Sequence, residues 1–277
     1  MQQEQLQAHL DRVAEDGFTI LENVFDQERA DAFRARVRSI EHDTLLPLEP
    51  GETEADSSFY RTAGLLRIDP VFWDVPIDPT VTQVVEGLLG ADFLLSTFSG
   101  IDLKPNGGNI QPLHPDDALV PVPRPHERPV GCTAMWVVTD FNQSTGGTRV
   151  LPGSHRDSLD LLFSQDEERL SRAIQPDLKP GSVLLFDHAL FHGASDNPSG
   201  DWRLGLQVSY HAGWVRPYTN WFRSIPIDEV RRFPERLQDL LGYKTYNGIG
   251  SVNQQPGSYR ESYSGKGRPR PPRLPLD

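Results

Sequence analysis

Two kinds of periodicity divide the chain. In its first third, apolar positions recur mostly at helical spacing. Residues 3–15, QEQLQAHLDRVAE, predict a short amphipathic helix ended by Gly17. Residues 26–42, DQERADAFRARVRSIEH, predict a second helix with Asp26 as its N-cap, and residues 80–90 a third ended by Gly90. Between the first two, FTILENV (18–24) is strand-like, and the polar run 46–63 reads as a mobile loop. From residue 93 the pattern changes. Residues 93–104, 131–141, 147–151, 182–186 and 203–211 are short β-branched or aromatic runs bounded by Gly, Pro, Asn or Asp. Many such strands predict a sandwich or barrel. Residues 157–175 read as a charged helix, and 226–242 as a helix broken near Pro234. The expected organisation is one mainly β domain with flanking helices over 1–250. A Gly-, Pro-, Ser- and Arg-rich tail over 251–277 is expected to be irregular.

Composition narrows the class. Hydrophobic residues make up 37% and charged residues 24% of the 277, which suits a soluble globular protein. The net charge is −12, from 27 basic and 39 acidic side chains. That surface repels phosphate backbones and anionic membranes, so neither a nucleic acid nor a membrane is an expected partner. Cys132 is the only cysteine, which excludes an intramolecular disulfide and a Cys-based zinc or iron–sulfur centre. The N-terminus is polar and has no apolar core of a secretory signal, and no run of about 18 apolar residues occurs. A cytoplasmic protein is expected.

The candidate chemistry lies in the β region. His-x-Asp occurs three times, at His9–Asp11, His114–Asp116 and His155–Asp157. On a helix, residues two apart point about 200° apart, so His9 and Asp11 cannot share a metal and read as surface residues. On an extended segment, residues two apart share a face, and both later pairs can chelate. His155–Asp157 follows a turn, where Ser154 or Asp157 serves as a helix cap. His114–Asp116 follows the strand-like NIQPL, with Pro115 fixing φ between the two. Asp117 then points to the other face, as a supporting or merely solvated carboxylate. A third ligand comes from His192 or His188, in FDHALFHG. His192–Gly193 reads as a sharp turn after the strand SVLLFD, which leaves His188 a structural role or at most one supporting the ligands. Two His and one carboxylate leave metal positions open and suit non-haem Fe(II) and O2 chemistry. A catalytic zinc site can use the same three ligands.

Arg203 follows His192 by eleven residues. In RLGLQVSY, Arg203, Gly205, Gln207 and Ser209 share one face, and Leu204, Leu206, Val208 and Tyr210 the other. An Arg on the inner face of a barrel needs a polar cavity or an anionic ligand, and its guanidinium is suited to a carboxylate.

GGTRVLPGSHR, GSVLLFDHALFHGAS and Arg203 resemble the phytanoyl-CoA dioxygenase family of Fe(II)/2-oxoglutarate oxygenases. DGFTILENVFDQERADAFRARV and WVRPYTNWFRSIPIDEVRRFPERLQDLLGY resemble the family's flanking segments, so the likeness spans about residues 8–243. It implies a double-stranded β-helix (jelly roll), with His114, Asp116 and His192 binding iron and Arg203 the far carboxylate of 2-oxoglutarate. It also implies cosubstrate-pocket positions at Gln111, Trp136 and Thr148. Where several members carry Ser two residues after the second His, this chain has Ala194, and the neighbouring Ser195 is the candidate substitute. The implied reaction consumes O2 and 2-oxoglutarate, releases succinate and CO2, and hydroxylates, desaturates or epoxidises a small metabolite or natural-product intermediate. The Pro-rich run 116–130 is a candidate lid, with Arg124, His126 and Arg128 available to an anionic group. Cys132 reads as core packing. A cupin-like hydrolase or isomerase with another metal, and a non-catalytic ligand-binding barrel, are the alternative readings.

Overall fold

Period-two alternation along the central strands divides apolar from polar side chains, and the architecture follows from that division. A computed structural model describes residues 1–40, 59–107, 110–158, 161 and 166–246. The strands are β1 (Phe18–Leu21), β2 (Phe59–Ala63), β3 (Leu94–Leu103), β4 (Gly131–Val137), β5 (Thr148–Val150), β6 (Val183–Asp187), β7 (His192–Ala194) and β8 (Arg203–His211). The helices are α1 (Gln3–Asp16), α2 (Gln27–Arg38), α3 (Leu65–Ile68), α4 (Pro79–Leu89), α5 (Glu167–Leu170), α6 (Trp221–Ser224), α7 (Ile227–Val230) and α8 (Glu235–Leu240). Six strands form one antiparallel sheet in the order β1-β6-β4-β8-β3-β2, and β5 pairs with β7 in a smaller sheet. Single bridges extend the smaller sheet at His114↔His192 and Val150↔Ile174. This is the double-stranded β-helix with flanking helices that the strand pattern and the family resemblance anticipate.

The large sheet has two different faces. Cys132, Ala134 and Trp136 of β4, with Leu204, Leu206, Val208 and Tyr210 of β8, pack outward against Val13, Phe33, Phe72 and Val81 of the helical layer. Each of these seven strand residues is inaccessible to solvent. The alternate residues Met135 and Val137, with Leu184 and Phe186, face inward onto Phe141, Val150, Leu178 and Leu190. At about 25 cal/mol per Å2 of apolar area, burial on both faces fixes the register, because a one-residue slip would exchange them. In that register Thr133 faces Ser209 and Met135 faces Gln207 on β8, while Ser99 of β3 flanks Gln207 from the other side.

Helix boundaries follow local chemistry. The Asp26 side chain accepts from Arg29 N at 2.9 Å, as its N-cap position requires. Gly17 ends α1 at φ +86°, where a side chain would also strike His155. Pro234 separates α7 from α8, as expected. Several expectations need correction. Residues 59–63, expected within a loop, form β2, because Phe59–Ala63 pairs with Leu103–Ser99; residues 46–58 lie outside the described residues. In 157–175 the described helix is confined to Glu167–Leu170, and Ile174 is drawn into the smaller sheet through Val150. β1 ends at Leu21, and β4 at Val137, where Val138 and Thr139 both donate to Leu204 O. The tail from 251 lies outside the described residues. Among the described residues no helix is long and apolar enough to cross a membrane.

Candidate metal centre

β6 and β7 deliver the central histidine. Leu190 N donates to Asp187 O at 2.9 Å, so the chain turns over 187–190 and His192 opens β7. The turn thus precedes His192, a correction to its expected place at His192–Gly193. His192 pairs with His114 through two backbone hydrogen bonds of 2.9 and 3.0 Å, and Asp116 N donates to His188 O at 2.7 Å. This antiparallel contact carries Asp116 to the same place. One ligand atom from each of His114, Asp116 and His192 lies within 4.8 Å of the others, an arrangement able to hold a metal ion.

The donor atoms are already oriented. Asp116 Oδ1 lies 3.7 Å from His192 Nε2 and 4.0 Å from His114 Nε2. On the far side of each ring, Nδ1 of His114 meets Pro112 O at 2.9 Å, and Nδ1 of His192 meets Leu190 O at 3.0 Å. A carbonyl only accepts, so both Nδ1 atoms carry hydrogen, and in its neutral form each ring offers a lone pair at Nε2. Burial, opposed by the Asp116 charge, holds His192 below the usual imidazole range. Burial raises the Asp116 carboxyl, but His192, His188, His114 and the Thr133 hydroxyl outweigh it and bring it below its ordinary value. Burial thus favours the deprotonated His192 ring that metal binding needs.

Arg203 starts β8 on the inward face and is 2% exposed. Its Nη2 donates to Gly146 O at 2.6 Å, and its guanidinium lies 4.2 Å from the centre of the Phe141 ring. Its Nε has no hydrogen-bond partner. Burial pushes its pKa down to about 10 against the pull of Asp102. A buried guanidinium with an unused donor suits an anionic ligand. Gln111 reaches across to β7, where its Oε1 accepts from Ala194 N at 3.0 Å. Thr148 is buried on β5 opposite Ala194, on the same face as the inward Val150. Ser195 is half-buried, and its amide donates to Gly147 O at 3.1 Å.

Trp136 does not join this group. It lies on the outward face of β4, stacked on Phe25 with ring centres 5.1 Å apart. The inward positions of that strand are Thr133, Met135 and Val137, so the expected pocket aromatic is a helix-side core residue. Arg61 is the main basic residue that the sequence reading passed over. From β2 it donates to Ser99 Oγ at 3.0 Å and Gln207 Oε1 at 2.7 Å. Burial lowers its pKa while the Asp116 charge raises it, which places a second guanidinium in the field of the candidate metal site. Thr133, also passed over, meets Asp116 Oδ2 at 3.2 Å.

The remaining candidates have other duties. His9 bonds Thr19 Oγ1 through Nδ1 at 2.8 Å, so it is tied to β1 rather than freely solvated. His155 Nε2 meets Ala14 O, and Asp157 pairs with Arg169. Ser154 caps nothing; its hydroxyl accepts from Phe191 N at 2.9 Å and donates to Leu151 O at 2.7 Å. Asp117 is not solvated: it is 2% exposed and faces Arg124 and His126, so those two side chains are already engaged. Arg128 is exposed. Cys132 is fully buried in the helix-side core, as expected, and burial pushes its thiol well above the usual range.

Two facing sheets with a His–Asp–His cluster at one end and a buried Arg define a metal-dependent barrel of the cupin type. The family model described as Phytanoyl-CoA dioxygenase (PhyH) matches residues 13–205, and the chain belongs to that family. Among curated relatives, dioxygenase af480 of Aspergillus fumigatus is 26% identical over 182 residues, covering 65% of this chain and 58% of its own length. Dioxygenase andF of Emericella variicolor is 26% identical, covering 61% and 59%. The chain therefore spans less than two thirds of the length of these two relatives. Dioxygenase trt7 of Aspergillus terreus is 25% identical over 240 residues, covering 83% and 82%. Among solved structures, the non-heme alpha ketoglutarate dependent carbocyclase SnoK has a TM-score of 0.65 at 18% identity, covering 80% of this chain and 89% of that one. HygX from Streptomyces hygroscopicus, with nickel, 2-oxoglutarate and hygromycin B bound, has a TM-score of 0.60 at 19% identity, covering 78% and 90%.

Proposed function

We propose that the chain is an Fe(II)- and 2-oxoglutarate-dependent dioxygenase acting on a small organic substrate. The observation that carries this reading is the shared barrel end of His114, Asp116 and His192, together with the spare donor of buried Arg203. Three ligands leave open coordination positions, which fits an iron that must also take a chelating cosubstrate and O2. His114, Asp116 and His192 hold the metal, and Arg203 binds the distal carboxylate of 2-oxoglutarate. Gln111 and Thr148 line the cosubstrate pocket, and Ser195 takes the contact that Ala194 cannot make. Arg61 adds positive charge on the metal side of the pocket. Bound Fe(II) and 2-oxoglutarate supply oxygen activation, with release of succinate and CO2. The protein's own residues orient the reactants and exclude water.

The substrate class is a metabolite of natural-product size. The ligands named for HygX, hygromycin B, and for the epimerase SnoN, nogalamycin RO, support this. The reaction is a hydroxylation, desaturation or epoxidation, because Asp116 occupies the ligand position that a halide would need vacant.

Substrate-independent turnover tests the reading. With Fe(II), ascorbate and 2-oxoglutarate, the protein is expected to form succinate only when O2 is present. Arg203→Ala is expected to weaken 2-oxoglutarate binding, and Asp116→Ala to abolish turnover. If neither substitution weakens binding or turnover, or if zinc supports an O2-independent hydrolysis instead, the reading fails.

A further inference from the structure

Behind Asp116 lies a buried set of polar groups that the proposed reaction does not use. Thr133 Oγ1 is within reach of three partners: Asp116 Oδ2 at 3.2 Å, His188 Nε2 at 3.0 Å and Ser209 Oγ at 2.8 Å. Thr133 and His188 are fully buried, and Ser209 is 2% exposed. A Thr opposite a Ser on neighbouring antiparallel strands is by itself an ordinary cross-strand pair. The third partner makes the difference.

Proton counting fixes the directions. An ionised carboxylate only accepts, and a hydroxyl has one hydrogen. Thr133 therefore gives its hydrogen to Asp116 and must accept from both His188 and Ser209. His188 then carries its hydrogen on Nε2. Its Nδ1 has no hydrogen-bond partner and sits where a Cβ on Gly131 would approach to 2.3 Å, so Nε2 is the ring atom that makes the contact. The carboxylate is thereby divided. Oδ2 is held by the protein, while Oδ1 is the oxygen nearest the two Nε2 atoms.

We propose that Thr133 is a positioning residue for the metal site: held by His188 and Ser209, it fixes Asp116 so that Oδ1 alone faces the metal. The proposal rests on the ligand set assigned above. A carboxylate fixed through one oxygen leaves room that a chelating carboxylate would fill, which keeps positions free for cosubstrate and O2. Without the hydroxyl, Asp116 is free to rotate, and buried donors on His188 and Ser209 lose their acceptor.

Anaerobic Co(II) titration of the full-length protein, read by visible absorption, provides the test. Thr133→Val is expected to weaken Co(II) binding by about 10- to 100-fold, the usual effect of removing an outer partner of a metal ligand. Thr133→Ala, which removes the hydroxyl without adding volume, is expected to behave alike, and Thr133→Ser to bind close to wild type. In an Asp116→Ala background, Thr133→Val is expected to add no further loss, since the hydroxyl acts through that carboxylate. Equal affinity in wild type, Thr133→Val and Thr133→Ala would overturn the proposal. So would an equal loss with and without Asp116, which would mark Thr133 as merely structural. If Asp116→Ala itself binds Co(II) as tightly as wild type, the ligand assignment fails first, and the proposal with it.

Discussion

Arg124 Nε lies 3.1 Å from Asp117 Oδ2, and the two side chains are 2% and 1% exposed. His126 Nε2 meets the same oxygen at 2.6 Å, and Arg124 also donates to the Ala189 carbonyl. The Asp117 carboxylate thus holds the Pro-rich run together, and Arg124, through the Ala189 carbonyl, joins it to the turn that precedes His192. The run is a wall beside the candidate metal site, with Arg124 and His126 folded inward and Arg128 exposed.

Removing Asp117 strands a buried guanidinium. Asp117→Ala is expected to destabilise the protein by about 3–5 kcal/mol, because an uncompensated buried charge is far costlier than a missing pair. Replacing both partners with apolar residues, as in Asp117→Leu with Arg124→Met, is expected to recover a substantial part. Urea unfolding at constant m-value measures both. Hydrogen exchange over 118–130 is expected to speed up in the single variant only.

Asp187 predicts a pH dependence of stability. It is 5% exposed, and burial, against the Ala189 backbone hydrogen bond, pushes its pKa up to about 6. A carboxyl raised on folding stabilises the fold below its unfolded value near 4, and loses that contribution as pH rises through about 6. Asp187→Asn keeps an oxygen for Ala189 N and never ionises. It is expected to exceed wild type in stability at pH 8 by up to about 3 kcal/mol. The difference is expected to shrink to nothing below pH ~4. Thermal melts of metal-free protein across pH 4–8 check this, and a difference that does not vary with pH would refute it.

Much of this could be read in the sequence because alternation carries direction. In RLGLQVSY the pattern assigned Leu204, Leu206, Val208 and Tyr210 to the outer core, where they lie, and put Gln207 and Ser209 inside with Arg203. The same parity places Trp136 outside once Thr133 is inside; the family resemblance overrode it. Arg61 escaped because β2 is a short edge strand, and the run 46–63 that contains it has the composition of a loop. The partners of Asp117 were hidden for another reason. Whether a charged side chain is solvated or folded back depends on tertiary packing, which local composition does not encode.

Arg203 makes a prediction that separates cosubstrate from metal. Its Nη2 is anchored on Gly146 O, and its Nε has no protein partner. Arg203→Lys keeps a charge but loses the fork, so 2-oxoglutarate affinity is expected to fall in Lys and further in Ala. The Ala variant is expected to lose about 2–5 kcal/mol of binding energy, as when a buried charge partner is truncated. Co(II) affinity measured without 2-oxoglutarate is expected to stay at the wild-type level in both. Calorimetric titration distinguishes the two ligands, and a parallel loss of metal would disprove the separation.

Gly193 tests whether the His114–His192 backbone contact sets the metal site. A Cβ there would lie 2.9 Å from Gln111 O and 3.0 Å from Pro112 O, and both are backbone atoms that cannot swing aside. Pro112 O is also the acceptor that orients His114 through Nδ1. Gly193→Ala must therefore push the 111–114 segment away from β7, and His114 with it. The stability cost is expected to be about 1–3 kcal/mol, as for other overpacked positions. Co(II) affinity is expected to fall as well, because the displaced backbone carries one ligand and orients its ring. Gly200→Ala is the control, since a Cβ there would meet nothing within 4 Å. If Gly193→Ala lowers stability but leaves Co(II) binding at the level of that control, the strand contact is structural and does not set the position of His114.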